Sequence, residues 1–156
     1  MRIVLITASN RQPRWVEDGY AEYARRIRGR CTLELKEIPL ARRAASVPVA
    51  RTLEREGERM LAAIPAGATV VELSERGSPW STADLAGRLE SWIGAGATVC
   101  LLVGGPDGMA PGCAERADAS WALSRLTLPH GLVRVIVAEA LYRAFSVLER
   151  HPYHRA

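Results

Sequence analysis

Five times along the chain a short run of strand length gives way to a stretch whose apolar residues recur at helical spacing, and this alternation constrains the fold more than any other feature. It predicts an α/β architecture, a mostly parallel sheet with helices on both faces. Arg2 to Ala8 is an apolar run, followed after Pro13 by Val16, Tyr20, Ala24 and Ile27 on one helical face. Cys31 to Ile38 alternates Cys31, Leu33 and Leu35 with Thr32, Glu34 and Lys36, the pattern of a strand with one wet face toward a sheet edge. Pro48 opens a helix carrying Val49, Leu53, Met60 and Ile64, in which Gly57 is expected to cost about 1 kcal/mol relative to alanine. Ala68 to Leu73 is the third strand. After a Gly77-Ser78-Pro79-Trp80 turn, Ser81 caps a helix with Asp84 three positions on, and Gly94 and Gly96 end it. Thr98 to Val103 reads as a fully apolar, central strand, Pro111 opens a short helix, Trp121 to Leu128 is the fifth strand, and a long helix begins near His130.

A length of 156 residues fits one domain spanning 1–156, too small for a catalytic domain plus a separate substrate module. No apolar run approaches the roughly 18 residues of a membrane span, and the N-terminal run is too short for a secretory signal, so the expected compartment is the cytoplasm. Cys31, Cys100 and Cys113 lack any paired spacing, which points to buried small hydrophobes rather than disulfides or a metal site. Twenty arginines and Lys36 against 17 acids leave a net charge of +4. That balance suits a polyanionic partner, although a genome's codon bias produces it equally well.

The carboxyl ends of parallel strands are where open α/β sheets bind ligands. There stands Gly104-Gly105-Pro106-Asp107-Gly108, which has neither the spacing of a dinucleotide fingerprint nor the lysine of a phosphate-binding loop. Its glycines would let backbone approach a flat ligand closely, or simply make a tight turn. After the fifth strand, Ser124-Arg125-Leu126-Thr127-Leu128-Pro129-His130 takes the same position, with His130 a helix-start residue or a site residue. No Gly-x-Ser-x-Gly elbow supports a nucleophilic serine. The final helix is apolar over more than half its circumference, more than one sheet face can cover, which implies a second subunit or, alternatively, a central position in a monomer's core. Beyond it, His151, Tyr153, His154 and Arg155 gather a base, a stacking ring and a guanidinium, while Pro152 rules out helical metal spacing for the two histidines.

Leu101-Leu102-Val103-Gly104-Gly105-Pro106-Asp107-Gly108, Leu126-Thr127-Leu128-Pro129-His130, Ala138-Glu139-Ala140-Leu141-Tyr142-Arg143-Ala144 and His151-Pro152-Tyr153-His154-Arg155, in this order, resemble the RlmH family of SPOUT-class 23S ribosomal RNA pseudouridine N3-methyltransferases. The resemblance extends over the whole chain. It implies a homodimer, a C-terminal deep trefoil knot, S-adenosylmethionine as cofactor, no metal, and a 23S rRNA substrate in the assembled large subunit or 70S ribosome. It places the cofactor at Leu73, Gly104, Leu123, Ser124, Arg125, Leu126, Thr127 and Leu128. For the chemistry, Arg143 and Arg155 are expected to support the developing anion or an adjacent phosphate, Tyr153 to position the base, and His154 to accept the proton. The competing reading is a flavodoxin-like nucleotide-binding regulatory module without transfer activity.

Overall fold

The computed structural model describes residues 1–155. In chain order the elements are β1 (Arg2–Ala8), α1 (Arg14–Ala24), β2 (Thr32–Ile38), α2 (Val49–Ala62), β3 (Thr69–Pro79), α3 (Thr82–Gly94), β4 (Thr98–Val103), α4 (Pro111–Arg116), β5 (Ala119–Ala122) and α5 (His130–Leu148), with a closing 3-10 turn at Pro152–Arg155. The five strands form one parallel sheet in the order β2-β1-β4-β3-β5. The fully apolar strand is central and the alternating one lies at an edge, as their patterns require. Among the described residues no helix is long and apolar enough to cross a membrane.

Side chains alternate across the sheet, and both faces are covered. Ile3, Leu5, Val71, Val99 and Leu101 point to the face packed by α1, α3 and α5, together with Leu85, Leu89, Val137 and Leu141. Val4, Ile6, Val70, Cys100 and Leu102 point to the other face, where α2 and α4 contribute Met60 and Cys113. All three cysteines are free and buried. Ser81 and Asp84 form the expected capping box, with Ser81 Oγ accepting from the Asp84 N–H at 3.1 Å and Asp84 Oδ2 accepting from the Ser81 N–H at 2.8 Å. Gly96, at φ +63°, closes α3 as its Ala97 neighbour donates back to the Trp92 carbonyl.

Three expectations need correction. The fifth strand stops at Ala122, not Leu128. Its last partner is Pro79, which has no N–H to extend the ladder, and beyond it the Ser124 hydroxyl accepts the Leu126 N–H at 2.9 Å in a local turn. The third strand runs on to Pro79 through a register shift between Leu73 and Ser78, where a turn was expected. There Gly77 lies so close to β5 that a Cβ would sit 2.7 Å from the Trp121 nitrogen. Gly57, expected to be a weak point of α2, is instead its contact with α4, for a Cβ there would sit 2.5 Å from Ala110 Cβ.

Candidate functional site

The loops after β1 and β4 lead in opposite directions, toward β2 on one side and β5 on the other, which makes the carboxyl ends of these two neighbours the usual ligand crevice of an open sheet. Here the chain fills it with the start of α5. His130 makes a hydrogen bond with the backbone of Gly104, at the end of β4. Gly131 lies beside the post-β1 loop and α1, where a Cβ would meet the movable Gln12 amide at 2.5 Å and Val16 Cγ2 at 3.4 Å. Arg134, 2% exposed, donates to Ser9 Oγ at 2.7 Å and pairs with Glu37 Oε2 at 3.4 Å, while Ser9 donates to the same carboxylate at 3.2 Å. A buried arginine is tolerable only with such partners. To reach this position from β5, at the sheet's far edge, the segment 123–129 must cross the carboxyl ends of β3 and β4.

That crossing segment, the Gly104 loop and the end of β3 together make the first candidate site. Leu73 is the last residue before the shift in β3, and Leu73, Leu123, Ser124 and Leu128 are half-buried, whereas Arg125, Leu126 and Thr127 are exposed. Leu126 is 74% exposed. The Gly104 loop is closed by a Gly108 N–H to Gly105 C=O bond of 3.0 Å, with Gly108 at φ +97°. Gly104 faces this return directly, and a Cβ on it would lie 2.6 Å from the Gly108 oxygen. The crossing segment belongs to no helix or strand, so its backbone donors and acceptors are not consumed by a ladder. Apolar side chains with unpledged backbone groups suit a flat, partly polar ligand such as a nucleoside better than a multiply charged phosphate.

His130 forms the inner edge of this site. Burial holds its imidazole below the usual histidine range, the Arg134 charge adds to the effect, and the bond to Gly104 opposes it. Its Nε2 is buried without a partner. Because the folded state holds the ring neutral more strongly than the unfolded chain does, protons bind preferentially to the unfolded chain, and stability is lost as pH falls below about 6.5. His130→Gln should therefore flatten the acid side of a plot of urea midpoint against pH. An unchanged slope would show that His130 does not carry this dependence.

The second candidate site is built by the second half of α5 and the tail that folds back onto it. Arg150 takes a left-handed conformation at φ 54°, and His151 N–H returns to the Ser146 carbonyl at 2.9 Å, so the tail reverses onto its own helix. Tyr153 then packs on Tyr142 with ring centroids 4.6 Å apart, donates to Glu139 Oε1 at 3.1 Å, and receives the Arg143 guanidinium 4.9 Å over its ring. Arg143 also grips Glu139 Oε1 at 2.6 and 2.9 Å. Burial and the bond to Glu139 push the Tyr153 hydroxyl up to about 12, so it stays a proton donor at neutral pH. His154 Nδ1 lies 2.5 Å from the His151 carbonyl, and Arg155 is exposed. The structure thus brings Tyr153 and Arg143 together around Glu139, a residue the motif reading did not select although its i,i+4 relation to Arg143 is visible in the sequence.

The SPOUT methyltransferase family model matches residues 1–154. The chain belongs to this family. Among similar proteins, "Ribosomal RNA large subunit methyltransferase H" of Nitrosococcus oceani is 53% identical over 156 residues, covering 100% of this chain and 99% of that protein. The protein of the same name from Marinomonas sp. is 49% identical over 155 residues, covering 99% and 100%. A solved structure of a probable methylase family protein from Haemophilus influenzae Rd KW20 superposes with a TM-score of 0.53 at 14% identity, covering 97% of this chain and 69% of that one, a likeness of fold. As a SPOUT methyltransferase the chain is an enzyme, and the reading as a nucleotide-binding module without transfer is set aside.

Proposed function

We propose that this SPOUT methyltransferase uses S-adenosylmethionine to methylate N3 of a pseudouridine in 23S rRNA of the assembled large subunit or 70S ribosome, working in the cytoplasm as a homodimer of one-domain chains, 1–156. The names of its close relatives support a large-subunit rRNA substrate. The observation that carries the reading is the placement of the two candidate sites. The pocket lies at the start of α5, and the tail cluster is centred on Glu139 and Arg143 farther along the same helix, about 14 to 20 Å away at 1.5 Å per residue. Folded back onto Glu139 and Tyr142, one copy's tail stops short of its own cofactor pocket. Two copies packed with their α5 helices antiparallel can bring each tail to the other's pocket and complete it. Leu132, Val135 and Ile136 on α5 are only half-buried, and Trp15 is 61% exposed, so apolar surface remains for such a contact. The knot implied by family membership accords with the crossing of segment 123–129.

When bound, S-adenosylmethionine supplies an activated methyl group on a sulfonium. Leu73, Gly104 and Leu123 to Leu128 would hold the cofactor, with backbone groups available for hydrogen bonds and apolar side chains for packing. The protein's remaining work is to align the acceptor nitrogen and remove its proton. Tyr153, protonated and fixed on Glu139, positions the base. Arg143 and Arg155 stabilise the negative charge that develops on the imide, or an adjacent phosphate. His154 accepts the N3 proton.

Ribosomes from a strain lacking this enzyme, incubated with the protein and S-adenosylmethionine, should gain one methyl at a single 23S pseudouridine, read by mass spectrometry of nuclease fragments. His154→Ala should slow single-turnover transfer by about 10²- to 10⁴-fold with cofactor affinity nearly intact. Methylation of another nucleotide overturns the substrate, and equal rates remove His154 from the mechanism.

A further inference from the structure

At the Gly104–Gly108 loop, three charged residues from three separate parts of the chain converge. Glu56 on α2 is 2% exposed, a location that a carboxylate occupies only when its charge is answered. Its Oε1 accepts from the Ala41 N–H at 3.3 Å and from Arg43 Nη1 in a direct ion pair. Arg43, in the loop between β2 and α2, also donates to the Ala41 carbonyl at 2.8 Å, and its Nε and Nη2 reach Asp107 Oδ2 at 3.1 and 3.0 Å. Asp107 belongs to the glycine loop itself. One planar guanidinium therefore joins a buried acid to the tip of that loop, an arrangement its fork of donors can satisfy and an ammonium cannot. The loop is pressed on the same group from behind: a Cβ on Gly105 would lie 2.9 Å from Leu40 Cδ2 and 3.6 Å from Glu56 Oε2, an oxygen with no hydrogen-bond partner.

We propose that Glu56, Arg43 and Asp107 form a latch that positions the Gly104–Gly108 loop for cofactor binding, Arg43 acting through Asp107 and Glu56 acting through Arg43. None of the three is among the residues assigned to the pocket; they are positioning residues. The inference rests on the reading of Gly104 as a wall of the cofactor pocket. A loop with four flexible or turn-forming residues around Asp107 samples many conformations, and fixing its tip before the ligand arrives removes an ordering cost from binding.

Asp107→Asn leaves the Arg43–Glu56 pair intact at a partly exposed position, so it should fold like the parent while weakening S-adenosylmethionine binding about five-fold by calorimetry. Arg43→Ala should weaken binding more than ten-fold, Arg43→Lys less than that, and adding Asp107→Asn to Arg43→Ala should cost nothing further. Amide exchange at 104–109, measured on the cofactor-free chain, should quicken in Asp107→Asn with the melting temperature unchanged. Unaltered exchange and affinity in Asp107→Asn overturn the latch. If the parent protein itself fails to bind S-adenosylmethionine, the pocket reading falls, and the exchange rates alone still decide whether Asp107 holds the loop.

Discussion

Two inactive variants, mixed and allowed to exchange subunits, are expected to regain activity. The first carries Tyr153→Ala with Arg155→Ala and has an intact cofactor pocket but no working tail. The second carries Gly104→Val, whose side chain has no room beside the Gly108 carbonyl, and has an intact tail but a spoiled pocket. In a one-to-one mixture half of the dimers are hybrids, and each hybrid pairs one good tail with one good pocket, so about a quarter of parental activity should return. Either homodimer alone should stay near background. The two-copy proposal requires this result, because within one chain the tail is folded back onto Glu139 and Arg143, away from the pocket at the start of α5. Complementation measured on ribosomes lacking the modification, with subunit exchange followed by mass, is decisive. A mixture that remains inactive although hybrids form would mean that tail and pocket work within one copy, and the two-copy mechanism would be wrong.

The second large effect is on stability. Replacing a mid-helix glycine by alanine usually stabilises a helix by about 1 kcal/mol, and α2 considered alone predicts that gain for Gly57→Ala. The structure predicts a loss. The added methyl would sit 2.5 Å from Ala110 Cβ and 3.6 Å from Cys113 Sγ, where α2 crosses α4, and neither contact is the movable end of a long side chain. Overpacking of this kind costs about 1 to 3 kcal/mol, and separating the helices also disturbs Met60 and Cys113, which fill the same side of the core. Urea unfolding should show a lower midpoint for Gly57→Ala with an unchanged slope. Ala110→Gly placed on top of it should recover much of the loss, because the clash is pairwise. A raised midpoint would show that the two helices can part at little cost.

Sequence patterning disclosed the order of strands and helices because each element carries its own period. The all-apolar β4 and the alternating β2 even reported their central and edge positions, through how many of their faces must be dry. The capping box at Ser81 was legible for the same local reason. What stayed hidden depends on contacts between distant segments. Gly57 reads as a defect until Ala110 is placed against it, and β5 reads as eight residues until Pro79 is seen to end its ladder. The candidate site divides in the same way. Motif resemblance marked both the pocket and the tail, and the i,i+4 spacing pairs Glu139 with Arg143, yet neither motif could reveal that Tyr153 folds back onto Glu139, or that Arg134 bridges to Ser9 and Glu37, 125 and 97 positions away. Arginine, glutamate and serine at those places look like ordinary helix and strand-end residues.

The occupation of the β1–β4 crevice by His130, Gly131 and Arg134 also sets a timetable. Most of the sheet can assemble from segments already synthesised, but the plug that Arg134 anchors, and with it His130 beside the Gly104 loop, comes from residues made after all five strands. Contacts between such remote segments pay their loop-closure entropy late and slowly. A nascent chain is therefore well advanced in folding before its β1–β4 crevice is filled. The crevice is filled only when the final helix seats, and a fragment ending before that helix lacks the Arg134 bridge to Ser9 and Glu37.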